Sequence, residues 1–217
     1  MAKTTEKTLR ENLVRVCRML HHKNLIAAMD GNVSVKCGDG LLTTPSGVNK
    51  GFLEEDHLIL VDWNGRVVEG GGQPTSEMAM HLAVYRLRPE VEAVVHAHPP
   101  VATAFSIAGI SLEDFVLPEV VMTMGVIPTV SYATPTTAEV PESIRTLVLK
   151  HDALILERHG ALTVGRDLME AYNKMEKLEH AALIIFSALQ LGRVKRLPPR
   201  EVEKLLHLKI IQKLQSS

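Results

Sequence analysis

Two histidines one residue apart, His96 and His98, end an apolar run, Ala93-Val94-Val95, and a third, His159, closes a second such run over residues 153–158. Residues i and i+2 of a strand project from the same face, so the first two imidazoles can reach one ion. Gly160, directly after His159, permits a sharp reversal that makes a third imidazole available at a strand end. Three nitrogen ligands leave one coordination position open. That is the arrangement of a catalytic zinc; structural zinc sites are usually closed by four protein ligands. Cys17 and Cys37 lie far from these histidines in sequence and do not suggest such closure. Isolated histidines such as His151 and His207 are assigned no chemistry. Neither is His21-His22, because adjacent residues on a helix do not face each other. A two-metal hydrolase would continue His-x-His with an aspartate two residues later, where this chain has Pro99-Pro100.

Proton transfer and anion binding need other residues. Pro74-Thr75-Ser76-Glu77 follows a glycine run, Gly70-Gly71-Gly72, where a helix is expected to begin. Free backbone amides at a helix N-terminus, with Thr75 and Ser76 beside them, suit an anion. Glu77 in the first turn would be held as a carboxylate by the helix dipole and any nearby metal, and a carboxylate can act as a base. Spacing alone equally allows Thr75 to be a helix cap and Glu77 a dipole partner. Gly31-Asn32 and Thr44-Pro45-Ser46-Gly47 combine flexible backbone with small donor side chains, the kit for cradling a phosphate. Each by itself reads as a turn; only in combination do they suggest a site.

These residues must be positioned by a mixed set of elements. Residues 8–22 space Leu9, Leu13, Val16, Cys17 and Leu20 by three or four, which predicts an amphipathic helix. Short β-prone runs over 33–36, 41–43, 57–61 and 66–68, punctuated by Gly38-Asp39-Gly40 and Asn64-Gly65, predict strands joined by tight turns. A helix is expected from about Thr75 and stopped before Pro89. Strands are expected over 93–97, 126–130, 153–157 and 161–164, and helices over 101–108 and 138–149. Asp167 reads as the N-cap of a long helix to about Leu191, with Glu170 its capping-box partner and Gly192 its end. Pro198-Pro199 introduces a last helix. The order predicts an α/β fold: one domain over 1–217, a mostly antiparallel sheet flanked by helices, and a C-terminal helical tail from about 193.

Composition narrows the function classes. At 217 residues, with 46% hydrophobic and 23% charged, the chain can bury a core and is not of disordered type. Basic and acidic residues nearly balance, at a net charge of -1, without a like-charged block to track a phosphate backbone, so no nucleic-acid partner is expected. The apolar run 181–186 is far short of the roughly 20 residues that span a bilayer. No membrane span is expected. Two cysteines and a polar start, Met1-Ala2-Lys3-Thr4, point to the cytosol.

In combination, Gly31-Asn32-Val33-Ser34, Thr44-Pro45-Ser46-Gly47, Pro74-Thr75-Ser76-Glu77, Val95-His96-Ala97-His98 and Arg158-His159-Gly160 resemble the class II aldolase and adducin head-domain family, over roughly residues 9–191. The resemblance implies a three-layer fold and zinc, one per chain, on His96, His98 and His159. Glu77 is implied as a further ligand that leaves when substrate binds and then transfers the proton. It further implies phosphate contacts from Gly31, Asn32, Ser46, Gly47, Thr75 and Ser76, and four subunits in a ring with active sites at their interfaces. The implied reaction is cleavage of a ketose 1-phosphate to dihydroxyacetone phosphate and an aldehyde through an enediolate. Where the family's aldolases place a tyrosine after the second metal histidine, this chain has Leu117, and the stretch after Gly192 holds no tyrosine. The family also contains dehydratases of a methylthio-sugar phosphate, sugar-phosphate epimerases and non-catalytic adducin heads, which lack the metal histidines.

Overall fold

The central strands are near-continuous apolar runs, and because successive side chains of a strand point to opposite faces they fill two buried faces. In the computed structural model, which describes residues 5–114 and 116–215 with side chains through 208, the elements follow in this order. They are α1 (Glu6–His22), β1 (Asn32–Cys37), β2 (Gly40–Thr43), β3 (Ile59–Val61), β4 (Val67–Glu69), α2 (Met78–Leu87), β5 (Ala93–Ala97), α3 (Pro100–Ile107), α4 (Pro118–Thr123), β6 (Thr129–Val130), α5 (Glu139–Val148), β7 (Ala153–Leu156), β8 (Gly160–Gly165), α6 (Leu168–Leu191) and α7 (Pro199–Gln215). The strands form one open sheet in the order β4-β3-β2-β1-β5-β8-β7-β6. Every pairing is antiparallel except β6 with β7.

One face of the sheet buries Val33, Val35, Val95, Ala97 and Ile155 in a cluster with Leu13 and Val16 of α1, Phe105 of α3 and Met175 of α6. The opposite face buries Val94, Leu154, Leu162 and Val164 with Met80 and Val84 of α2 and Ile144 and Val148 of α5. Helices therefore cover both faces. Each such side chain contributes roughly 1.5–3 kcal/mol when fully removed from water, and this burial outweighs the modest local propensities. Because β1 and β5 pair with Asn32 opposite His96 and Ser34 opposite Val94, Asn32, Ser34 and His96 share the face covered by α2 and α5.

The helix expected from Thr75 begins three residues later. The segment before it is occupied otherwise: the Thr75 amide donates to the Thr44 carbonyl over 3.1 Å, and Pro74 bridges Pro45. Thr75 is thus not the cap; Glu77 is the last residue before the helix and makes no side-chain capping bond. The strand expected over 126–130 shrinks to Thr129–Val130 at the sheet edge, where Pro128 has no amide to extend the ladder. His57 falls in a single 3-10 turn (Glu55–His57) before β3, and the short helix α4 was not expected. Asp167 caps α6 as expected, accepting from the Glu170 amide over 2.7 Å, but the Glu170 carboxylate reaches the Arg166 amide instead of closing the box on Asp167. After α6 the chain forms α7, Pro199–Gln215, and residues 216 and 217 lie outside the described residues. No helix among the described residues is long and apolar enough to cross a membrane.

Candidate active site

His96 sits inside β5 and is fully buried, held between β1 on one side and β8 on the other. His98 lies one residue beyond the strand, where its amide donates to the Leu25 carbonyl over 2.8 Å. His159 is in the tight turn between β7 and β8. Its amide donates to Leu156, and Arg158 before it takes a positive φ of 59°. The three rings gather with centroids 4.8–5.1 Å apart, and one nitrogen of each lies within 4.8 Å of the others. Glu77 completes the group: its Oε2 is 3.1 Å from His96 Nε2 and its Oε1 is 3.5 Å from His159 Nε2.

The polarity of these contacts can be worked out from one anchor. Nδ1 of His96 stands 3.0 Å from the Ala161 carbonyl, an acceptor only, so Nδ1 carries the hydrogen. In the neutral ring Nε2 is then a bare lone pair, yet it faces Glu77 Oε2 at 3.1 Å and His98 Nε2 at 3.1 Å. The His96 lone pair and the Glu77 oxygen, both acceptors, require a positive centre between them, a proton or a metal cation. A cation bound by imidazole and carboxylate fits the donor set, and Glu77 Oε1, buried with no hydrogen-bond partner, is the orphan such a cation would satisfy. Burial and then the neighbouring imidazoles push His98 down to about 4, and burial followed by His96 lowers His159, so both are available as neutral ligands. Burial alone would raise the Glu77 carboxyl. The charge and hydrogen bond of His96, with the Asn32 amide and His159, more than offset it and hold the group well below the ordinary carboxylate range.

The three candidate phosphate loops are tied together by backbone bonds. Thr44 donates to Val33, Thr75 to Thr44, and Ser46 to Gln73, over 2.9–3.1 Å. Gly31, Asn32 and Thr75 are buried, while Ser46, Gly47 and Ser76 are exposed. At Gly31 the glycine is required: φ is +69°, and a Cβ would lie 3.0 Å from the His96 carbonyl. Asn32 does more than expected from its sequence. Its Nδ2 donates to Glu77 Oε2 over 2.8 Å, and its Oδ1 lies 2.6 Å from His81 Nε2.

Four residues of this neighbourhood had not been singled out. Asp30 Oδ2 lies 3.6 Å from His98 Nδ1. Lys50 is buried, its Nζ donating to the Met29 carbonyl over 2.6 Å. His81 and Tyr85 line the inner face of α2. Their signal was present, since both follow Glu77 at helical spacings of four and eight, but apolar neighbours made that face read as plain core.

Residues 11–186 match the model of the Class II Aldolase and Adducin N-terminal domain. The chain belongs to this family. A relative named L-fuculose phosphate aldolase, from Methanococcus maripaludis, is 38% identical over 171 residues, covering 79% of this chain and 92% of the relative. A second, named 3-oxo-tetronate 4-phosphate decarboxylase, from Escherichia coli, is 35% identical over 186 residues, covering 83% and 87%. Among solved structures, YgbL of Klebsiella pneumoniae, named for three alternative activities, aldolase, epimerase or decarboxylase, superposes with a TM-score of 0.87 at 32% identity, covering 94% of this chain and 100% of that one. An L-fuculose 1-phosphate aldolase superposes with a TM-score of 0.86 at 27% identity, covering 94% and 96%. The family typically uses a divalent metal, and the His96, His98 and His159 group is where this chain offers ligands for one.

Proposed function

We propose that this chain is a metal-dependent carbon–carbon lyase acting on a phosphorylated three-carbon-releasing sugar or sugar acid, and that its first activity is aldol cleavage of a ketose 1-phosphate. The observation that carries the reading is the convergence of three imidazoles and the Glu77 carboxylate, with His96 Nε2 at 3.1 Å from both Glu77 Oε2 and His98 Nε2. His96, His98 and His159 would hold the cation, taken as zinc, with Glu77 as a further ligand that substrate displaces. When bound, that cation supplies Lewis acidity to stabilise negative charge on substrate oxygens.

The rest is work for the chain's own residues. Glu77, once released, takes the proton from the hydroxyl that becomes the aldehyde and returns one to the carbon left with the electron pair. Gly31, Asn32, Ser46, Gly47, Thr75 and Ser76 would anchor the phosphate, so that binding energy remote from the reacting bond orients it. The buried, unpaired thiols of Cys17 and Cys37 accord with a reducing cytosol, and the apolar residues exposed on α6, Leu183, Ile184 and Phe186, accord with a tetramer.

One observation favours a second reading, decarboxylation of a 3-oxo acid phosphate. Aldol cleavage must ionise a hydroxyl as well as protonate a carbon, whereas loss of carbon dioxide needs only the second step. With Leu117 where the family's aldolases carry a tyrosine, Glu77 has no tyrosine to assist it with the two proton transfers of aldol cleavage, a lack that the single transfer of decarboxylation tolerates. Both reactions release dihydroxyacetone phosphate. The test is a screen of ketose 1-phosphates and 3-oxo-tetronate 4-phosphates for that product, with aldehyde and carbon dioxide measured in parallel. Release of it from neither class overturns the proposal.

A further inference from the structure

Behind Glu77 a file of four buried polar side chains crosses between the sheet and α2. Glu77 Oε2 accepts from Asn32 Nδ2 at 2.8 Å, Asn32 Oδ1 meets His81 Nε2 at 2.6 Å, His81 Nδ1 meets Ser34 Oγ at 2.7 Å, and Ser34 Oγ meets Tyr85 OH at 2.9 Å. His81 and Ser34 are fully buried, and Asn32, Tyr85 and Glu77 nearly so. No water is needed to complete any link.

The direction of every bond follows from the one member that cannot donate. A carboxylate only accepts, so Asn32 must present its nitrogen to Glu77 and therefore its oxygen to His81. That oxygen also only accepts, so His81 carries its hydrogen on Nε2. Nδ1 is then a lone pair that receives the Ser34 hydroxyl hydrogen, and Ser34 in turn accepts from Tyr85. Burial, and after it the charge of His96, pushes His81 down to about 3, which keeps the ring neutral as this arrangement requires. The sheet and helix arrange this without strain: Asn32 and Ser34 are alternate residues of β1, and Glu77, His81 and Tyr85 are four apart along α2 and its start.

From this geometry we infer that His81 is a positioning residue. It locks the Asn32 amide with its nitrogen on Glu77 Oε2, and so reserves the other carboxylate oxygen, Oε1, for the substrate's proton. Without His81 the Asn32 oxygen loses its buried donor, and the amide is free to swing its nitrogen off Oε2. With it, Oε2 already accepts a hydrogen bond, while Oε1 has no partner. The step balances on Oε1 alone: a substrate O–H bond breaks as the Oε1–H bond forms, and the carboxylate is restored when that hydrogen passes to carbon. A second Asn32 hydrogen remains free, so the same lock can serve the phosphate. The inference rests on Glu77 being the proton carrier.

The experiment uses the full chain loaded with zinc and labelled with 15N-histidine. Long-range proton–nitrogen spectra should contain one imidazole, missing in His81→Gln, in the neutral Nε2–H form at every pH from about 5 to 9. An Nδ1–H pattern or an imidazolium for that ring overturns the inference. In kinetics, His81→Leu should lower kcat by about 10–100-fold, the usual range for residues that orient a metal site from behind, with zinc content unchanged. His81→Gln, which can both donate and accept, should recover much of that loss. A His81→Leu protein that loses thermal stability or zinc but keeps its kcat per bound zinc would mark His81 as structural only and overturn the proposal. If His81→Leu does not fold, Ser34→Ala tests the same lock, with a mixed tautomer and a smaller fall in kcat expected; a pure tautomer with full kcat overturns it. Should the wild type cleave no sugar phosphate at all, the functional reading fails while the tautomer pattern still decides this one.

Discussion

Gly160 and His98 are packed so closely that a Cβ on the glycine would lie 2.8 Å from Cδ2 of the imidazole. The same atom would strike the Ala97 carbonyl, so neither the side chain nor the strand has room to yield. Gly160→Ala should therefore cost about 1–3 kcal/mol of stability, as overpacking does, and weaken metal binding by displacing His98. Thermal melting and a zinc titration check this; wild-type values in both would show that the contact relaxes freely.

Removal of any one imidazole should empty the centre. His96→Ala, His98→Ala and His159→Ala are each expected to reduce bound metal from about one per chain to little or none, because two imidazoles and the displaceable Glu77 carboxylate are too few ligands to hold it tightly. Elemental analysis of the purified variants is the measurement. Full metal in His159→Ala would remove that residue from the ligand set.

Glu77→Gln keeps a carbonyl oxygen that can accept from Asn32, so the fold and much of the metal affinity should survive. The amide cannot carry a proton to and fro. Turnover should fall by about two powers of ten or more, with circular dichroism and metal content measured alongside. Near-normal turnover would leave Glu77 with no role beyond preceding the helix.

Ser76 is exposed at the start of the α2 region while Thr75 beside it is buried, so Ser76 can be truncated with little structural cost. Hydrogen bonds to a charged group are worth roughly 1.5–3 kcal/mol, so Ser76→Ala should raise KM for a sugar phosphate about tenfold or more and leave metal content alone. Comparison on matched phosphorylated and free ketoses is decisive. Equal wild-type activity on both would point to unphosphorylated substrates.

Away from the site, Asp152 holds Arg88 at 2.7 Å and Lys174 at 3.0 Å, joining the end of α2 to β7 and α6. Burial would raise its carboxyl, but Lys174 and Arg88 outweigh this and hold it below the ordinary value. A depressed folded-state pKa contributes stability above the unfolded pKa, near 4, and loses it as pH falls through the folded value. Asp152→Asn should thus cost about 3 kcal/mol at neutral pH, with the gap to wild type closing only below about pH 4. Urea titrations at pH 7 and at steps below pH 4 follow the gap as it closes.

What the sequence disclosed depended on how local its cause was. The strand at β5 and the caps of α6 were legible because apolar runs, Asp167 and Gly192 mark them within a few residues. The cluster of His96, His98 and His159 was legible because facing on a strand needs only spacing. Thr75 misled, because its amide is engaged by Thr44, a partner thirty-one residues away that no local pattern reveals. His81 was missed for the same reason: on α2 it looks like one polar residue among Met80, Leu82 and Val84, and only the pairing of β1 beneath it supplies Ser34 and Asn32.

The placement of β5 also fixes when in the life of the chain this centre can exist. Its two neighbours are drawn from opposite directions, Asn32 facing His96 from early in the sequence and Leu162 facing it from late. Each pairing closes a loop of more than sixty residues, the kind of long-range contact that forms slowly, whereas β1 to β4 follow one another as near neighbours. During synthesis the first four strands can assemble while His96 and His98 still lack β8 and His159. A ribosome must therefore deliver the chain through residue 165 before β8 can pair with β5 and the three-histidine cluster can close.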